Sequence, residues 1–250
     1  MIDRLDIAHV LFLDIETVSG KPTYDDLDET FKELWKLKCR GVLKKYDEEI
    51  TDEEAAATYL DKAGIFAEFG KIVCISVGIV RRDKDKNLSV RLKSFANDDE
   101  KILLEEFSAL VNQYYDNPTK HGFCGHNIRE FDIPYICRRM VVNQLPFPNT
   151  LNLSGKKPWE TKHLIDTLEL WKFGDYKHYT SLKLLAAVLG FPSPKDDIDG
   201  SNVGRVYWEE QDLERIAVYC EKDVLATVQL YLRYRLMPLI EQEQVIHVDA

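Results

Sequence analysis

The sequence predicts an α/β fold, a mixed β-sheet flanked by helices with a helical insertion after the first strand, and three observations predict it. A short run of apolar strand formers, HVLFLDI, spans His9–Ile15. Two more runs, Lys71–Val80 and Leu88–Phe95, are separated by the charged turn RRDKDKN, which reads as a hairpin. Beyond them, short apolar segments alternate with stretches of helical periodicity, the pattern of a sheet covered on both faces.

The elements follow in order. The first run is read as a buried strand ending in acids at Asp14 and Glu16, and with the hairpin it forms a three-stranded meander. From Ser19 to about Phe69 the chain is charged and helix-prone, with Leu27, Phe31 and Leu34 spaced for an amphipathic helix. This is the insertion, and the chain 1–250 is expected to be one domain. Asn97–Tyr115 reads as a helix with Asn97 as N-cap, Glu100 three residues on, and Ile102, Leu103, Phe107, Leu110 and Val111 at helical spacing. His121–His126 is a strand candidate, and Phe131–Val142 a helix with Pro134 in its first turn. Residues 143–162 and 191–206, rich in Pro, Gly, Asn and Lys, read as loops around a short strand at His163–Leu168 and a helix at Ser181–Leu189 closed by Gly190. A last long helix spans Trp208 to Leu236 and stops before Pro238.

Composition narrows the function. Against 33 basic residues stand 43 acidic ones, a net charge of −10, which argues against a binder that neutralises many phosphates but not against an enzyme gripping one strand end. The five scattered cysteines never form C-x-x-C, so neither a disulfide framework nor a zinc site is expected. Asp3, Asp6 and Asp14 interrupt the N-terminal apolar run, and the expectation is a cytoplasmic protein without an export signal.

Three segments carry chemistry. In Asp14-Ile15-Glu16 the period-two geometry of a strand puts both carboxylates on one face. Two such groups at the end of a buried strand repel each other unless a cation lies between them. The alternative is a solvated strand-end pair, since acid-x-acid pairs arise often by chance. Asp132 stands two residues before Pro134 at the start of a helix; it is an N-cap, a water-mediated metal contact, or both. Tyr219 and Asp223 lie one helical turn apart, on a face shared with Ala226 and Leu230. An Asp on that apolar side needs a partner; the other reading is a helix-surface Asp beside a half-buried Tyr.

With the motifs LFLDIETV, GHNIREFDIPYI and YCEKD in that order, the sequence resembles the DEDD 3′–5′ exonucleases of the ribonuclease H-like superfamily. The subclass is the one bearing Tyr, which includes the proofreading domains of family-B DNA polymerases. The resemblance implies that Asp14, Glu16 and Asp223 hold one divalent metal, that Asp14 bridges to a second, and that Asp132 holds the second through water. Both ions would be Mg²⁺ or Mn²⁺, and Tyr219 would orient the attacking water and help deprotonate it. Thr17 and Val18 would line the pocket of the terminal nucleotide, with Asn127 and Phe131 on the opposite wall. The implied activity is two-metal hydrolysis at 3′ ends of single-stranded DNA, favoured over RNA. The other readings are a non-catalytic nucleic-acid-binding module and a phosphoesterase acting on small nucleotides. Proofreading would require a polymerase or repair protein in trans, whereas independent DNA repair or end-trimming would not. Lys172, Lys177, His178, Lys183 and Lys195 are candidate phosphate contacts, and Phe173, Tyr176 and Tyr179 candidate stacking surfaces.

Overall fold

A computed structural model describes residues 5–175, 179–193 and 198–248. Strand β1 (Val10–Ser19) is buried on both faces: Leu11, Leu13 and Ile15 enter one core and Val10 and Phe12 another, which is why this run reads as continuously apolar. The insertion follows, with α1 (Glu29–Leu43) and α2 (Asp52–Lys62). β2 (Gly70–Arg82) then returns antiparallel to β1, and β3 (Leu88–Ala96) antiparallel to β2, giving the expected meander. After α3 (Glu100–Tyr114), β4 (Gly122–Gly125) pairs parallel with β1. After α4 (Asp132–Val142), β5 (Leu164–Asp166) pairs parallel with β4. Helices α5 (Thr167–Lys172), α6 (Leu182–Leu189), the single turn α7 (Val203–Arg205) and α8 (Leu213–Tyr234) complete the helical set. A last short strand, β6 (Val245–His247), lies parallel to β3, so the sheet order is β5-β4-β1-β2-β3-β6.

One face of the sheet packs against α3 and α4 through Leu103, Phe107, Ile133, Ile136 and Met140. The other packs against α8 through Val224, Val228, Tyr231 and Leu232. The approach of α8 is close: a Cβ on Gly78 of β2 would meet Val224 Cγ1 at 2.8 Å. That steric limit explains a glycine in mid-strand.

Several sequence-based boundaries shift. β1 does not end at Ile15 but runs to Ser19, because the register slips between Glu16 and Thr17 and Thr17–Ser19 pair on with Ile72–Gly70. The slip leaves Val73 of β2 as the extra, bulged residue. Asp14 and Glu16 therefore sit inside the strand. Helix α3 is capped by Asp99, whose side chain accepts from the Lys101 amide, and not by Asn97. The last helix starts at Leu213, not Trp208, since Gln211 is left-handed (φ 56°) and Asp212 caps the new start. In α1 the buried seam is Trp35 and Cys39, while Leu34 and Leu37 are exposed. Trp35 stacks edge-on against Tyr59 of α2 and against Phe69, and donates to Ala55 O at 3.0 Å. Strand β6 was not expected.

Glu100 does not complete a capping box. It is buried (6% exposed) and accepts from the Ile72 amide at 2.7 Å and from Arg139 of α4 at 2.6 Å. Arg139 also donates to Ala67 O at 2.8 Å. One ion pair thus ties β2, α3, α4 and the end of the insertion together. Glu100→Ala leaves a buried guanidinium without its counter-charge and the Ile72 N–H without a partner, and is expected to cost about 3–5 kcal/mol. Urea unfolding checks this; a loss below about 1 kcal/mol would show that the network contributes little.

Candidate active site

Asp14 and Glu16 point from β1 toward α8, and the structure brings their carboxylate oxygens and the Cys220 sulfur within 4.8 Å of one another. Cys220 follows Tyr219 and precedes Asp223 by three residues, so the start of α8 presents all three side chains to the same strand. The Cys220 thiol donates to Asp14 O at 3.4 Å and lies 3.6 Å from Asp14 Oδ2. Burial pushes this thiol well up, and Cys74, Asp14 and Glu16 push it further. It is therefore an S–H donor and not a thiolate.

Asp132 does not cap α4. It is the first helical residue, preceded by Phe131 in the cap position, and it is buried at 3% exposure. Burial raises its carboxyl to about 7, with the charges of Asp166 and Asp223 adding to the rise and hydrogen bonding from its own amide and from the Ile15 backbone opposing it. Asp14 is raised well above the usual carboxylate range, first by burial and then by Asp223, Asp132 and Glu16. Tyr219, only 5% exposed, is pushed far up by burial and by the charges of Asp223, Glu16 and Asp14, with a hydrogen bond to Asp223. Asp14 thus feels the charges of Glu16, Asp132 and Asp223, and Tyr219 those of Asp14, Glu16 and Asp223, so the five side chains lie within electrostatic reach of one another in an acidic cluster.

Beside the cluster opens a cleft of about 190 Å³. Glu16, Thr17, Val18 and Phe131 line it, together with Leu60, Asp61, Gly64 and Ile65 from the insertion and Gly200, Ser201 and Gly204 from the loop before α8. Gly64 is pinned there, since its carbonyl accepts from Thr17 Oγ1 at 2.8 Å and Tyr135 Oη at 2.9 Å, and a Cβ would meet the Val18 backbone at 3.0 Å. No local pattern marks these insertion residues; Cys220, by contrast, was readable from its i, i+3 relation to Asp223. Asn127 does not line this cleft. Its backbone is left-handed (φ 67°), and its amide donates to Asp166 at 3.0 Å. Asp166 also accepts from the Arg129, Leu168 and Glu169 amides, so it anchors the turn that delivers Asp132. His126 is held by Thr167 Oγ1 and Thr180 O. Lys172 pairs with Glu169, Lys183 is exposed, and Phe173 and Tyr179 are exposed. Tyr176, Lys177, His178 and Lys195 lie outside the described residues.

Residues 65–245 match the family described as a predicted 3′–5′ exonuclease related to the exonuclease domain of PolB. The chain belongs to this family. Among solved structures, the family B DNA polymerase of the hyperthermophilic archaeon Pyrobaculum calidifontis is similar, with a TM-score of 0.51 and 15% identity. That likeness covers 91% of this chain and 24% of the polymerase chain, so this exonuclease-family chain spans about a quarter of that protein's length. It carries the fold, a ribonuclease H-like mixed sheet flanked by helices. No curated protein matches the chain. Among the described residues no helix is long and apolar enough to cross a membrane.

The folded chain holds a proton on Asp132 up to about pH 7, whereas the ordinary Asp value is 3.8. Between those values the native state binds more protons at this group than the unfolded chain does, so its contribution to the stability of the metal-free protein rises as pH falls. His121, His126 and His163, whose values burial lowers, act in the opposite direction over the same range, so comparison with Asp132→Asn isolates the carboxyl. We expect the advantage of the wild type over Asp132→Asn in the midpoint of thermal unfolding in EDTA to be about 4 °C larger at pH 6 than at pH 8. An advantage that grows as pH rises would contradict this account of the cluster.

Proposed function

We propose that the chain, as one exonuclease unit of residues 1–250, hydrolyses phosphodiester bonds at the 3′ end of single-stranded nucleic acid, with DNA preferred to RNA. The observation that carries this reading is the gathering of Asp14, Glu16, Asp132, Asp223 and Tyr219 into one electrostatically linked group, with Glu16 lining the cleft beside it. The family's relation to a polymerase exonuclease domain supports DNA as substrate.

The donor set fits divalent metal. All four acids offer oxygen, the carboxyls of Asp14 and Asp132 are raised as expected for carboxylates buried and crowded without a counter-charge, and oxygen ligation suits Mg²⁺ or Mn²⁺. Asp14, Glu16 and Asp223 would hold one ion, and Asp14 with Asp132 a second. When bound, the pair supplies an activated water and neutralises charge on the attacking and leaving oxygens.

The chain's own residues do the rest. Thr17, Val18 and Phe131, which line the cleft, seat the terminal nucleotide. Asn127 acts from behind this wall, in the turn held by Asp166. Tyr219 orients the water from its place beside Asp223, to which its hydroxyl is hydrogen-bonded. Helices α1 and α2 buttress the cleft wall, and a polymerase or repair protein in trans is the partner such trimming serves.

The test is degradation of 5′-labelled single-stranded DNA and RNA with Mg²⁺ or Mn²⁺, and with EDTA. A metal-dependent ladder shortening from the 3′ end is expected, abolished in Asp14→Ala and Asp223→Ala. In Tyr219→Phe, kcat is expected to fall about 10²-fold with metal affinity unchanged. No cleavage of either polymer by folded, metal-loaded protein would overturn the proposal, and turnover of mononucleotide esters instead would make the chain a small-nucleotide phosphoesterase.

A further inference from the structure

A second and larger cavity, of about 560 Å³, opens on the other face of the sheet. Its place is fixed by register. Leu11 and Ile79, which pair across β1 and β2, both line it. Leu11 precedes Asp14 by three residues and points to the α3 side, whereas the acids point to α8. The cavity and the acidic cluster are therefore separated by the sheet itself.

Three kinds of side chain meet there. The floor is apolar, made by Leu11, Val77 and Ile79. One wall is aromatic: the Tyr115 and His121 rings pack edge-on at 5.3 Å, and the Tyr114 ring, 59% exposed, stands beside them. The rim carries Arg81, Arg91 and Lys93. Among the described residues no carboxylate lines the cavity, and none of these three cations forms an ion pair. Lys93 meets only a ring face, that of Phe95, at 5.1 Å.

In a chain of net charge −10, a concave site whose charged lining among the described residues is three cations favours an anion. Guanidinium forks fit phosphate oxygens. An apolar floor with a free aromatic wall fits a flat ring in place of a hydrated ion, and the volume lies within the range of small-ligand sites. We propose that this cavity is a nucleotide-binding site distinct from the acidic cluster, taking a nucleoside monophosphate with its base on the floor and its phosphate on the rim. Such a molecule is what exonuclease turnover releases, but the assignment rests on the cavity's chemistry and stands whether or not the acidic cluster is catalytic.

The experiment is calorimetric titration of the full chain with 2′-deoxyadenosine 5′-monophosphate in EDTA, which keeps divalent metal from the acidic cluster. One saturable site is expected. The exposed-rim variant Arg81→Glu/Arg91→Glu, with unfolding unchanged, is expected to weaken binding at least about tenfold, while Asp223→Ala leaves it intact. In methyl-labelled protein the nucleotide should shift Val77, Ile79 and Leu110 and leave Val18 and Val73 in place. Absence of saturable binding up to about 5 mM, or binding that the rim variant keeps and Asp223→Ala loses, would overturn the proposal. Displacement by an acidic peptide as effectively as by the nucleotide would overturn it too, assigning the groove to a protein segment.

Discussion

Carboxylates repel, and this fold brings four of them together in a buried place. Asp14 and Glu16 share a strand face, Asp223 comes down from α8 and Asp132 comes in from the first turn of α4. Burial removes the water that would screen them, so the raised carboxyls of Asp14 and Asp132 measure how strongly the native state resists holding that charge. The surroundings are organised to impose the crowding. The Cys220 thiol tethers Asp14, and Asp166 gathers four backbone amides to fix the turn leading into α4. Across the sheet, Ser76 and Ser94 hydrogen-bond each other and Ser94 donates to Glu221, which gives the polar stripe beneath α8 internal partners. Strain of this kind is kept only where a counter-charge or a reaction makes use of it.

How the acids are positioned explains the rest of the architecture. A strand that carries a polar pair between two apolar cores needs neighbours on both sides, and β1 has β2 and β4. The bulge at Val73 lets the strand continue past Glu16, which carries Thr17 and Val18 into the cleft. The insertion closes that cleft from the other side, its end held by the Gly64 carbonyl and by the Glu100–Arg139 pair. It forms its own small core around Trp35 and Tyr59, and so acts as a rigid wall.

Where sequence reading succeeded and where it failed follows from the range of the interactions involved. The meander of β1, β2 and β3 was legible because each strand writes its own apolar pattern and the turn between the last two is marked by charge. The acids were legible because strand and helix periodicity fix which side chains share a face, and three motifs in order single them out. Features decided by contacts distant in sequence were not legible. Strand β6 is three partly exposed residues that become a strand only by pairing with β3. The seam of α1 follows Trp35 and not the leucines, because the partners of Trp35 arrive from α2 and Phe69. Glu100 sits where a capping box would place it, yet a guanidinium 39 residues away claims its carboxylate. Asn127 was assigned to the cleft by likeness of motif, and its backbone is instead turned toward Asp166.

If the four carboxylates form a centre for two divalent ions, as proposed, counting the ions tests it most directly. Titration of the metal-free protein with Mn²⁺, followed by electron paramagnetic resonance, should show two ions per chain, spin-coupled through a shared Asp14 carboxylate, with Asp14→Asn losing the coupling. A single isolated ion, or no specific binding by folded protein, would contradict the account.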